Sequence, residues 1–251
     1  PVTPTAPSAT GTNAVAIGNT TTASGNESIT AGPFSSATAY GASAFGTLAV
    51  AAGSYSVALG KGRAGGSTSL SAIIDNNTSS YGATGANSVA IGRLARAASS
   101  DAIGLGNGSW ARSDHTFAVF GDAQPSSIAA VAIGLASVAS GAAASALGRD
   151  AYALAASSIS LGKSRASGTS SFAAAISNNT SSYGASGGQS VAIGQYSRAT
   201  VGGAIAIGSA FARADGGQSV AIGRNVYAQK NNSVALGYQA LSDVYGKLAY
   251  S

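Results

Sequence analysis

The chain has 251 residues, with no Cys, no Met, one Trp and one His, and a formal net charge of +5. Charged residues make up only 8% of it, against about a quarter of an ordinary globular chain, so its surface must be built from Ser, Thr, Asn, Gly and Ala. The absence of Cys excludes disulfide staples and thiolate metal sites, no run approaches the ~18 continuous apolar residues of a membrane-spanning helix, and the 45% apolar content argues against disorder. The nine Arg and four Lys are scattered singly, which does not make a nucleic-acid footprint. Beginning at Pro1 without Met, the sequence reads as a piece of a longer protein.

Residues 1–12 read as an N-terminal extension. From Asn13 an apolar phrase recurs that ends on glycine. It is Ala-Val-Ala-Ile-Gly at Gly18, Ser-Val-Ala-Leu-Gly at Gly60 and Gly237, and Ser-Val-Ala-Ile-Gly at Gly92, Gly194 and Gly223. Degenerate copies end at Gly32, Gly46, Gly106, Gly121, Gly134, Gly148, Gly162 and Gly208. The intervals run 14, 14, 14, 32, 14, 15, 13, 14, 14, 32, 14, 15, 14. A fixed period of this kind marks a repeat architecture.

The two long intervals resemble one another: residues 59–92 and 161–194 agree at 23 of 34 positions, offset by 102. Each splits as 14 + 18, with a degenerate phrase at 70–74 or 172–176. Each would then hold one ordinary repeat and one lengthened by four, the lengthened parts lying near 75–87 and 177–189. The repeat domain spans 13–241, and 242–251 forms a C-terminal edge leading to a downstream segment.

Within one phrase the β-branched residues alternate with small ones. That period of two predicts a short strand with Val and Ile on one face and Ser and Ala on the other, closed by a glycine where the chain turns. A second alternation follows, as in Ala95-Arg96-Ala97, Ala151-Tyr152-Ala153, Ser197-Arg198-Ala199 and Val226-Tyr227-Ala228. It predicts a second strand, small residues inward and the variable residue outward. Two strands and two turns in fourteen residues make one flat coil, and about fifteen or sixteen coils at the sheet spacing make a rod of about 70–80 Å. A helical reading fails, because frequent Gly costs about 1 kcal/mol each and the apolar spacing is two. So thin a coil encloses only a few apolar side chains. Its Val/Ile face therefore predicts side-by-side association of parallel chains with closed symmetry.

Asn-Ser-Val-Ala-Ile-Gly every fourteen residues, followed by Ala-x-Ala and Gly, resembles the YadA-like head repeats of trimeric autotransporter adhesins over about Asn13 to Leu241. The resemblance implies an all-β, left-handed parallel β-roll in a homotrimeric rod that is displayed outside the cell and adheres to a host surface protein or glycan. It implies a roll and subunit-interface core of Val57, Leu59, Val89, Ile91, Val191, Ile193, Val220, Ile222, Val234 and Leu236. The stretches 115–124 and 240–251 look more like bacteriophage tail-fibre proteins that use the same repeat, which makes a mainly structural fibre segment the alternative.

Chemistry for catalysis is sparse, and the chain reads as non-enzymatic with no cofactor and no metal. His115 is the only His and Glu27 the only Glu, the Asp residues are dispersed, and Gly104-Leu105-Gly106 reads as a repeat turn rather than a phosphate loop. An ice-binding face would repeat Thr at the outward position, which instead reads Thr22, Val50, Arg96, Val138, Tyr152, Arg198 and Tyr227. Those Arg and Tyr positions are candidates for an adhesive stripe. The lengthened coils are candidate recognition loops, carrying Asn76, Asn77 and Tyr81 in one and Asn178, Asn179 and Tyr183 in the other.

Overall fold

The computed structural model describes residues 5–73, 81–120, 123–175 and 182–251. It is a parallel β-solenoid of about 16 turns, without helices among the described residues. The chain divides into two compact units, Pro1–Ala123 and Gln124–Ser251.

Each coil carries a long strand from the Val-Ala-Ile part of the phrase and a short strand of two residues. In the first unit the long strands run from Val15–Ile17 to Phe117–Val119, and the short strands from Ser8–Ala9 to Trp110–Ala111. In the second they run from Val131–Ile133 to Leu248–Tyr250, and from Gln124–Pro125 to Leu241–Ser242. Like strands pair in parallel with like. Ala90 stands opposite Gly104 in one unit, and Ala192 opposite Ala206 in the other. Ser8–Ala9 pairs with Thr22–Ala23 and Leu248–Tyr250 with Val234–Leu236, so the coil pattern runs beyond 13–241 at both ends.

The interior is made of the smallest side chains. Ala44, Ala58 and Ala90 on long strands and Ala37, Ala51, Ala64 and Ala97 on short strands are fully buried. Val226 is the largest fully buried side chain among the described residues. The inward Ser of the phrase is buried too; in several copies its hydroxyl donates to the carbonyl three residues earlier, while Ser56 donates to Ala64 O and the Ser28 and Ser171 hydroxyls have no partner. Ser88 reaches Gly85 O, and Ser190 reaches Gly187 O, each at 2.6 Å. This converts the polar cost of burial into a brace across the turn.

Val57, Leu59, Val89, Ile91, Val191, Ile193, Val220, Ile222, Val234 and Leu236 all point away from this interior, half-buried or exposed. An interior place in the roll, part of what the resemblance implied for them, is therefore corrected. Ser and Ala of the same strands fill that space, because a coil closed by two four-residue turns holds its strands too close for larger side chains.

Both turns place their third residue in the left-handed region. Asn87 has φ 52° and Leu94 φ 58°, and the fourth residue donates back to the first, as in Ala95 N–H to Gly92 O at 3.2 Å. A left-handed non-glycine residue costs about 1–2 kcal/mol. The neighbouring coil compensates, because these N–H groups donate across the stack: Asp101 to Ala86 O at 2.9 Å, His115 to Ser100 O at 3.0 Å, Tyr55 to Tyr40 O at 2.8 Å. The phrase-ending glycines carry a different constraint. Gly134 has φ 127°, and a Cβ there would lie 2.6 Å from the Gly148 carbonyl carbon.

Three register expectations are corrected. The long intervals divide as 13 + 19, since Val57 pairs with Leu70 and Leu70 with Val89, and likewise Ile159 with Phe172 and Phe172 with Val191. The missing residue is in the turn Gly60–Arg63, which is one shorter than Gly92–Arg96. At 120 the glycine position is taken by Phe120, φ 72°, rather than by Gly121. Gly104 is a strand residue facing inward, not a turn, and a Cβ on it would lie 2.7 Å from Arg96 O.

Ala206→Leu overpacks a buried position flanked in register by Ala192 and Ala221, and is expected to lower stability by about 1–3 kcal/mol, read from the denaturant midpoint. Ser71 has a buried hydroxyl without a partner, so Ser71→Ala is expected to raise stability by about 1 kcal/mol in the same measurement.

Candidate attachment surfaces

The outer face of the long strands forms two apolar columns in each unit. In the first unit one column reads Val15, Ile29, Ser43, Val57, Leu70, Val89, Ile103 and Phe117, aligned by strand register. In the second the neighbouring column includes Leu147, Leu161, Ala174, Ile193, Ile207, Ile222 and Leu236. On a single copy of the chain, Ile17 is 61% exposed, Leu59 40%, Ile91 41% and Ile222 41%. A contiguous apolar surface of this extent marks an interaction face on a protein otherwise covered in small polar groups.

Of the candidate loop residues, Asn76, Asn77, Asn178 and Asn179 lie outside the described residues. Tyr81 and Tyr183 are half-buried. Tyr183 packs on the following coils of its own chain. Its ring centroid lies 5.1 Å from Tyr196 and 6.3 Å from Phe211, and Tyr196 stacks on Phe211 at 5.3 Å. Phe211 reaches that position because its turn is one residue longer than usual, Arg198 pairing with Arg213 fifteen residues on. Beyond the 15-residue interval, nothing in the order of residues signals this cluster.

The turn residues form polar ladders. Asn87 donates to Asp101 Oδ1 at 3.2 Å, and His115 Nε2 lies 3.5 Å from Asp101 Oδ2. Asp114 accepts from the Ser100 backbone N–H at 3.1 Å. His115 and Asp114 thus each pair with the preceding coil, not with one another. Among the described residues no group of three or more His, Cys, Asp or Glu gathers in metal-binding geometry. At another turn Tyr40 meets Tyr55 edge-on at 5.2 Å and hydrogen bonds to Glu27. Donation to that carboxylate, and its negative charge, push the Tyr40 phenol up to about 12.

The outward residues of the short strands make a second set of columns. Arg96 stands opposite Gly82 and Trp110, and Arg198 opposite Gly184 and Arg213. Trp110 lies between Arg96 and Arg112, whose guanidinium carbons are 5.3 and 3.7 Å from its ring centroid.

Comparison with known families adds the remaining observation. The model of the YadA head domain repeat, two copies to a match, fits residues 9–34, 37–62, 83–109, 126–151, 139–164, 185–210 and 214–240. These matches cover more than half of the chain. The chain belongs to the YadA head repeat family. Curated proteins give no match. Head repeats of this family belong to trimeric autotransporter adhesin-like fibrous proteins and are typically displayed at the cell surface. In this YadA head segment no helix among the described residues is long and apolar enough to cross a membrane.

The Tyr40 contact gives a direct prediction. In a spectrophotometric pH titration one tyrosine should resist ionisation until about pH 12, and Glu27→Gln should bring it back toward the ordinary range. The sign follows from charge: ionising Tyr40 beside Glu27 sets two negative groups together, so the neutral phenol persists as pH rises.

Proposed function

We propose that this chain is the head of a non-enzymatic homotrimeric fibre that attaches the surface carrying it to a host surface protein or glycan. The observation that carries the reading is the pair of apolar columns on the outer face of the long strands. The roll cannot bury them, because its interior is filled by Ala and Ser. Parallel copies in register bury them against one another, row for row. Val57, Leu59, Val89, Ile91, Val191, Ile193, Val220, Ile222, Val234 and Leu236 then form the subunit interface. Contact with the target falls to what lies off that face: the lengthened coils with Tyr81, and the short-strand columns. An extracellular place, on a bacterial surface or a virion fibre, serves the same role.

Sedimentation equilibrium is expected to give three times the chain mass of 23.9 kDa. A stable monomer would overturn the reading. Ile222→Lys, on the outer face, should dissociate the assembly and leave the strand content by circular dichroism unchanged, because the substitution does not enter the interior. A matrix-protein and glycan binding screen with Tyr81→Ala tests the loop; unchanged binding would give Tyr81 a packing role alone.

A further inference from the structure

The two units carry similar short-strand columns that differ in charge. In the second unit Arg165, Gly184, Arg198 and Arg213 follow one another in register. Asp215 closes this column: its carboxylate lies 3.2 Å from Arg198 Nε and 3.0 Å from Arg213 Nη2, and accepts from Thr200 Oγ1 at 3.1 Å. In the first unit the corresponding run is Arg63, Gly82, Arg96 and Trp110. Where Asp215 stands two residues past Arg213, Arg112 stands two residues past Trp110. No carboxylate among the described residues pairs with Arg63, Arg96 or Arg112. Gly82, between Arg63 and Arg96 in the column, is itself buried and has no room for a side chain, since a Cβ there would lie 2.2 Å from Arg63 O, so the arginines on either side carry the charge of the strip.

We propose that this strip binds a linear anionic polysaccharide. Three guanidiniums on one face, along the stacking direction, fit a polymer whose sulfate or carboxylate groups recur along its length. Arg presents a planar fork that grips such groups bidentately. Trp110, lying between two guanidiniums, holds Arg96 and Arg112 in place through cation–π contact. Those two like charges share one indole, and an anionic group bound beside them offsets their repulsion. The strip lies on the sheet opposite the apolar columns, so it stays open when those columns are buried. The second unit is its internal control: there Asp215 already holds two of the three arginines, Arg198 and Arg213. This names the target class for the attachment reading and rests on that reading only for its biological purpose.

The test uses the whole chain in its assembled state and three immobilised polymers: heparin, polygalacturonate and neutral dextran. Heparin or polygalacturonate is expected to bind, with affinity falling steeply as salt rises, and dextran is not. The stronger of the first two identifies sulfate or carboxylate as the recognised group. Arg112→Asp, which puts a carboxylate at the place that Asp215 takes in the second unit, should weaken binding at least tenfold with circular dichroism and assembly mass unchanged. Asp215→Asn should strengthen it severalfold by releasing Arg198 and Arg213, a gain that loss of folding cannot produce. Polyanion binding indifferent to both substitutions would overturn the proposal, since it would reflect net charge alone. Equal, variant-sensitive binding of duplex DNA would overturn the choice of a polysaccharide. Binding to matrix proteins or neutral glycans without any polyanion binding would overturn this inference and leave the attachment reading standing; binding to nothing in either set would overturn both.

Discussion

Everything in this molecule depends on each coil hydrogen bonding to the next, in its turns as well as its strands. The strands alone contribute short ladders of two to five residues, too short to hold a coil in place. The turns extend the ladder. A left-handed third residue swings its N–H onto the carbonyl of the adjacent coil, as at Tyr55, Asp101 and His115. The backbone strain at these positions is sustained because the stacked neighbour supplies the bond. A coil therefore has no conformation of its own to fall back on, and its shape is a property of the stack.

The same tight turns set the chemistry of the two surfaces. They bring the strands so close that Ala and Ser fill the interior, and they push every Val, Ile and Leu of the phrase outward. The apolar residues that would form the core of an ordinary domain become an external face. Larger side chains stand on the opposite sheet, as Trp110 does, or in the irregular coils where the period breaks, as Tyr183 and Phe211 do.

The breaks in period show how far reading from sequence reached. The duplication at offset 102 was visible, and so was the place of each lengthened coil. The division into 13 and 19 residues was not, because Gly60-Lys61-Gly62 spells a turn of either length and only the pairing of Val57 with Leu70 fixes it. Phe120 in a glycine's place was hidden by the real glycine beside it. Arg96, Arg112 and Trp110 are ordinary scattered residues in sequence, and so are Arg198, Arg213 and Asp215. Stacking in register is what turns the first set into a cationic cluster around one indole and the second into two arginines sharing one carboxylate.

The sequence by itself determined the fold. A fourteen-residue period with an alternation of two leaves little besides a coil of two strands, and the phrase Ser-Val-Ala-Ile-Gly carries its family resemblance in five residues. Tertiary structure alone decided which face of that phrase turns inward. Alternation says that Val and Ile share a face and that Ser and Ala share the other, but it does not say which is inside. The distance between two strands joined by four-residue turns settles it, because only the small face fits.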